Sequence, residues 1–228
     1  MSGIRVSYLT SSTAYHIQQT LDELAEREVM SFDIETKGVY TKEERAEALK
    51  LLDTEMSLYN HKLASVAASN SGLSYPSVVH VTHFVFGLSE AHSRILIPAN
   101  IHEELRIWYW IRDYEGKLLI HNTLYDLKVM YHRIRSLPRN YEDTQLLAKT
   151  LTNHCDSWKA KVGLKDLMGS YYNPNWTLFD EYEPDDVRNP SFLMYAAIDG
   201  AATFKLWNDL QMHILGDTWS DESERDFK

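Results

Sequence analysis

The stretch Val29-Met30-Ser31-Phe32-Asp33-Ile34-Glu35-Thr36 constrains this chain more than any other. Val29, Met30 and Phe32 predict a buried β-strand, yet two carboxylates stand where its apolar run should continue. Side chains alternate across a strand, so Asp33 and Glu35 project from the same face with their oxygens close together. Two anions so placed repel, and burying them side by side is costly unless a cation neutralises them. Hard oxygen ligands suit Mg2+ or Mn2+. A strand end whose two acids face water is the alternative, and this stretch alone does not separate the two.

The chain has 228 residues, 44% of them hydrophobic, which predicts one α/β domain or a domain with a sizeable insertion. A single cysteine, Cys155, excludes an internal disulfide and fits a reducing compartment. Met1-Ser2-Gly3-Ile4-Arg5 lacks the apolar run of a signal peptide, and no stretch approaches the ~18 apolar residues of a membrane span. The expectation is a soluble, intracellular protein with no membrane partner. The net charge of −10 argues at first against a polyanionic ligand, but residues 180–186 contribute −5 and 217–228 contribute −3, leaving −2 for the rest. Bound divalent ions would offset that remainder, so acidity does not exclude nucleic acid. It predicts weak binding without metal and strong sensitivity to salt.

In chain order, the pattern predicts a strand over 4–9 and a helix capped by Thr13 that runs to about Arg27, with Ile17, Leu21 and Leu24 on one face. After the acidic strand, Thr41 caps a helix over 42–59 with the stripe Leu49, Leu52 and Met56, and 60–77 reads as loop. Strands are expected over 78–87 and 94–98, then a helix over 105–114 and a strand over 117–121. This order indicates a mixed sheet covered by helices. His80 and His83 read as strand-face residues rather than metal ligands.

Three further acids lie downstream. Asp126 falls in the first turn of a helix whose buried face is Leu127, Met130, Tyr131 and Ile134, where the helix dipole favours a carboxylate. Asp143 reads as the N-cap of a helix over 145–151. The last long helix opens at Asn189-Pro190-Ser191 and places Tyr195, Asp199 and Thr203 on one face. Ala196, Ala197, Ala201 and Ala202 thin the surrounding surface, so this helix can lie close to the sheet and bring Asp199 towards Asp33 and Glu35. A buried tyrosine donating to its neighbouring aspartate is the alternative account of that face.

Taken together, Asp33-Ile34-Glu35-Thr36, Asn122-Thr123-Leu124-Tyr125-Asp126 and Tyr195-Ala196-Ala197-Ile198-Asp199 resemble, in order, the three motifs of the DEDD superfamily of 3′→5′ exonucleases. Tyrosine four residues before the last aspartate marks the tyrosine subclass; the histidine subclass has His five before, and Met194 stands there. Asp143-Thr144-Gln145-Leu146, Gly163-Leu164-Lys165-Asp166-Leu167 and Tyr195-Ala196-Ala197 are similar to the proofreading domain of family A DNA polymerases. The resemblance covers about residues 4–214.

It implies an α/β, ribonuclease H-like mixed β-sheet flanked by helices, the DnaQ-like exonuclease fold. The domain would span 1–216 with a helical insertion at about 40–77, followed by an acidic tail over 217–228. It also implies that Asp33, Glu35, Asp126 and Asp199 hold two divalent ions, Mg2+ or Mn2+, about 4 Å apart across a scissile phosphate. Tyr195 would aim the attacking water, its ordinary pKa near 10 making it a poor base at neutral pH. Thr36, Val39, Asn122, Tyr125 and Phe179 become candidates for contact with a single-stranded or frayed 3′ end, and the product would be a nucleoside 5′-monophosphate.

Two departures qualify the likeness. No polymerase domain follows, which points to a free-standing exonuclease or a separately encoded proofreading subunit. The 40–77 insertion is unusual for the family, and its apolar stripe could dock on the domain itself or on a polymerase or other replication protein. Two other readings remain open: an RNA-trimming enzyme resembling RNase D, and an inactive exonuclease-like module retained for binding nucleic acid or protein.

Overall fold

The computed structural model describes residues 5–38, 43, 79–152, 161–172, 176 and 186–214. In chain order they form β1 (Ser7–Ser11), α1 (Ala14–Ala25), β2 (Val29–Gly38), β3 (Val79–Ser89), β4 (His92–Leu96) and α2 (Ile101–Asp113). Then follow β5 (Lys117–Ile120), α3 (Thr123–Ile134), β6 (Tyr141–Asp143), α4 (Thr144–Thr152), α5 (Leu164–Met168) and α6 (Pro190–Ile214). The strands make one six-stranded sheet in the order β1-β4-β3-β2-β5-β6. β3 runs antiparallel to both neighbours, and the pairs β1/β4, β2/β5 and β5/β6 are parallel. This is the mixed α/β sheet that the element order implied.

Local chemistry sets the boundaries. Thr13 accepts the His16 N–H at 3.3 Å, so α1 starts where its cap predicts. α2 begins at Ile101, upstream of the expected Leu105, because the Asn100 side chain accepts the N–H groups of His102 and Glu103 at 3.0 and 3.1 Å. β4 is shifted towards the N-terminus of its expected 94–98 and stops at Leu96, ahead of Pro98, which has no N–H to give a ladder. The expected helix over 42–59, the loop over 60–77 and the tail over 217–228 lie outside the described residues, Glu43 apart. Among the described residues no helix is long and apolar enough to cross a membrane.

The alternation of β2 divides the core. Met30, Phe32 and Ile34 are buried on one face with Phe84 and Phe86 of β3, beneath α1, α2 and α3. Phe32 meets Phe86 at a tilt with ring centres 5.5 Å apart and Trp108 edge-on at 6.0 Å. Ser31, Asp33 and Glu35 are thereby turned to the opposite face, under α6. There Ala196, Ala197, Ala201 and Ala202 are fully buried against Val85 and Ile95. The helix comes close enough for two of its carbonyls to be taken by strand serines. Ser93 donates to Ala197 O at 2.7 Å, and Ser31 donates to Gly200 O at 2.6 Å.

Candidate active site

Asp33 and Glu35 leave β2 where its pairing changes. Glu35 faces His83 and Thr36 faces Val81, so Thr82 is an extra residue in β3, and its hydroxyl donates to Glu35 O at 3.0 Å. Such a bulge bends the strand and re-aims the side chains beside it. The other edge of β2 also opens. Its ladder with β5 covers only Val29–Ser31, and beyond it the Asp126 carboxylate takes the Ile34 N–H at 3.1 Å.

Asp126 is carried there by a doubly capped junction. Asn122, in the left-handed region at φ 65, turns the chain from β5 into α3. Asp143 accepts the N–H of Asn122 at 3.3 Å and of Thr123 at 3.0 Å, together with the Thr123 hydroxyl at 2.7 Å. It also takes the N–H groups of Gln145 and Leu146 at 2.9 and 3.0 Å. The expected N-cap of α4 is therefore the cap of α3 as well, and one carboxylate holds both helix starts.

Asp199 comes down from α6 on the face it shares with Tyr195 and Thr203. Oxygens of Asp33, Glu35 and Asp199 lie within 4.8 Å of one another. Trp176, itself buried, donates its indole N–H to Asp199 at 2.9 Å. Tyr195 stands beside Asp199 on the same face of α6, and the Lys165 ammonium donates to the Tyr195 oxygen at 2.9 Å. Asp33, Asp126, Lys165, Tyr195 and Asp199 line an open cleft of about 460 Å3, together with His121, Asn122, Tyr125, Gln145 and Asp166.

The electrostatics of this cleft call for a cation. Burial first, and then the Asp126 charge, pushes Asp33 well above the usual carboxylate range. Burial, followed by Asp33 and Asp199, does the same to Glu35. Asp126 and Asp199 are each pushed up to about 7, chiefly by burial. Tyr195 is raised too, by burial and then by the three carboxylates near it. Glu35 Oε1 is buried with no hydrogen-bond partner among the described residues. A buried acceptor left bare costs about 1–3 kcal/mol, and a divalent ion held by the trio would satisfy it while neutralising the cluster. The donor set, all carboxylate oxygen, fits Mg2+ or Mn2+.

Several expectations can be placed. Asp33, Glu35, Asp126, Tyr195 and Asp199 converge, with Asp126 outside the trio of close oxygens and tied to β2 instead. Thr36 and Tyr125 join hydroxyl to hydroxyl, so Tyr125 pins the end of β2 to α3 and also lines the cleft. Asn122 lines the cleft; Val39 and Phe179 lie outside the described residues. His83 pairs with Glu35 across the β2/β3 ladder and is buried, its two ring nitrogens taken by the Thr82 hydroxyl and the Val187 carbonyl, as suits a strand-face histidine.

Lys165, Trp176, His121 and Gln145 carry no site role in the sequence reading. His121 is kept neutral, its pKa lowered to about 4 by burial, and it tethers β5 to the Val162 carbonyl at 3.1 Å. A lone tryptophan among Asn173, Pro174 and Asn175 was the available hint for Trp176. Nothing in the pattern around Lys165 shows that it points at Tyr195.

The family model described as 3′-5′ exonuclease matches residues 89–215, more than half of the chain. The chain belongs to the 3′-5′ exonuclease family. The match contains Asp126, Tyr195 and Asp199; Asp33 and Glu35 precede it and reach the same cleft through β2.

Solved structures share the fold at low identity. Escherichia coli RNase D is 14% identical with a TM-score of 0.55, over 91% of this chain and 45% of its own. The chain thus spans less than half the length of that enzyme. Brucella melitensis NrnC bound to pGG is 14% identical with a TM-score of 0.53, over 98% of this chain and 88% of its own, and has also been solved with Mg2+. Trypanosoma brucei RNase D in complex with RNA U12 is 14% identical with a TM-score of 0.59, over 93% and 64%. No curated protein matches by sequence.

Proposed function

We propose that this exonuclease family member is an active, metal-dependent 3′→5′ exonuclease that removes nucleoside 5′-monophosphates from single-stranded or frayed 3′ ends. The observation that carries the reading is the convergence of Asp33, Glu35 and Asp199 within 4.8 Å, with Glu35 Oε1 left bare. In this reading those three residues hold one divalent ion, and Asp33 with Asp126 holds the second. The chemistry such ions supply is polarisation of the scissile phosphate and its attacking water, and stabilisation of the departing 3′ oxygen.

The chain's own groups set the geometry. Trp176 fixes the Asp199 carboxylate from behind. Tyr195 stays protonated, since burial and its acidic neighbours raise its pKa, so it orients the nucleophile by hydrogen bonding and does not take a proton. Asn122, Thr36 and Tyr125 are the proposed contacts of the terminal nucleotide, with Val39 as a wedge and Phe179 as a base or sugar contact. The single domain would span 1–216, with the 40–77 insertion as the proposed contact for a polymerase or other replication partner and 217–228 as an acidic tail.

The polymerase-like flanks around Asp143, Lys165 and Tyr195 favour DNA. The likeness to RNase D, one example of which is solved with RNA, supports RNA as the second reading. A 5′-labelled single-stranded DNA and its RNA twin, incubated with Mg2+, Mn2+ or EDTA beside Asp33→Ala, separate them. A metal-dependent ladder shortening from the 3′ end of DNA supports the first reading, and shortening of RNA alone the second. No cleavage of either, with metal bound, would leave a binding module.

A further inference from the structure

Lys165 is the only cationic side chain among the described residues that line the cleft. It stands in the short α5, whose start is held near β5 by the bond between His121 and the Val162 carbonyl. Its Nζ lies 2.9 Å from the Tyr195 oxygen and 4.5 Å from the centre of the same ring. The ammonium therefore sits just past the hydroxyl end of the ring, and its hydrogen bond to the phenol oxygen holds that side chain in place.

The direction of the hydroxyl follows from donor counting. An ammonium has donors and no acceptor, whereas a phenol has one proton to give. With Lys165 donating to the oxygen, the Tyr195 proton is left to point elsewhere, towards the acids that line the cleft beside it. Remove the ammonium, and the same oxygen can accept from water and turn its proton away from the carboxylates.

From this geometry we propose that Lys165 is a positioning residue for Tyr195, holding the ring and committing its hydroxyl proton to the side of the cleft where Asp33, Glu35 and Asp199 meet. The inference rests on the exonuclease reading, in which Tyr195 aims the nucleophile. Lys165 does not touch the reacting atoms in this role; it acts through the phenol.

The test is a kinetic cycle of wild type, Lys165→Met, Tyr195→Phe and the double variant on a 5′-labelled single-stranded oligonucleotide at saturating Mg2+. Lys165→Met is expected to lower kcat at least tenfold with KM within threefold, while Lys165→Arg keeps most of the rate. In the Tyr195→Phe background the same change should cost less than twofold, because its target is gone. A Lys165→Met enzyme as fast as wild type, or an equal loss in both backgrounds, overturns the proposal. A wild type inert on DNA and RNA would sink the exonuclease reading instead. The pair would then be judged on thermal midpoints of the same four proteins, where strictly additive shifts overturn it.

Discussion

Ser31 and Gly200, 169 positions apart, are joined by a 2.6 Å hydrogen bond from the serine hydroxyl to the glycine carbonyl. The same hydroxyl accepts the Gly87 N–H at 3.1 Å, so one side chain locks β2, β3 and α6 at a single point. Asp33 lies two residues along β2 from that point and Asp199 one residue before it on α6. The distance between the two carboxylates is thus inherited from a backbone contact.

Gly87→Ala tests that contact. A β-carbon built there would collide with the Gly200 carbonyl and the Ser31 hydroxyl, and at Gly200 one would stand 3.0 Å from Val85 and 3.1 Å from Ser93 Oγ. Overpacking of this kind costs about 1–3 kcal/mol. Urea unfolding should register that loss for Gly87→Ala, and the variant should also need more Mg2+ for half-maximal activity, since α6 must retreat. Unchanged stability would mean that the helix does not press on the strand there.

Trp176→Phe keeps the ring in place and removes the donor to Asp199. Outer partners of metal ligands are worth about 10–100-fold in metal affinity or activity when lost. The Mg2+ concentration giving half-maximal rate is expected to rise by about tenfold while the melting curve moves little. A variant with the wild-type metal requirement would reduce Trp176 to a packing residue.

Asp143 caps two helices, and Asp143→Ala strips both at once. A single lost cap costs about 1 kcal/mol, so the expected loss in urea unfolding is about 2 kcal/mol. Asp143→Asn, which keeps an acceptor, should recover part of it. A loss no larger than one cap would show that α3 can start without its bond to this carboxylate.

The pH response follows from the raised acids. Asp126 and Asp199 titrate at about 7 in the folded protein, and burial holds Asp33 and Glu35 well above the ordinary range. An acid whose folded pKa exceeds its unfolded value, about 4, keeps its proton more tightly in the native state. Its contribution favours folding below that unfolded value and is lost as pH rises through the folded one. Metal-free protein should therefore lose stability from this cluster between about pH 4 and pH 7. A divalent ion prefers the ionised form, so MgCl2 should raise the thermal midpoint more at pH 8 than at pH 5.5. Melts in EDTA and in MgCl2 check this; an equal rise at both pH values would place the ion elsewhere.

Where each carboxylate stands was legible in the amino-acid sequence because strand alternation and helical spacing are local rules, while their joint assignment to one site came from the family resemblance. Asp33 with Glu35 on one face, Asp126 in a first turn, and Tyr195 with Asp199 on a helix of small residues all follow from neighbours in the chain. The mixed sheet was legible for the same reason, through the order of its periodic segments.

What needed the tertiary structure was every role created by distant residues meeting. Lys165 on Tyr195, Trp176 on Asp199, and Asp143 across two helix starts each join positions that no periodicity links. The bulge at Thr82 and the early end of the β2/β5 ladder likewise depend on how three strands share their hydrogen bonds. The sequence determined which acids could form the site. Their buried, mutually repelling arrangement, and hence their call for a cation, was decided by packing, because burial and Coulomb interactions act through space and not along the chain.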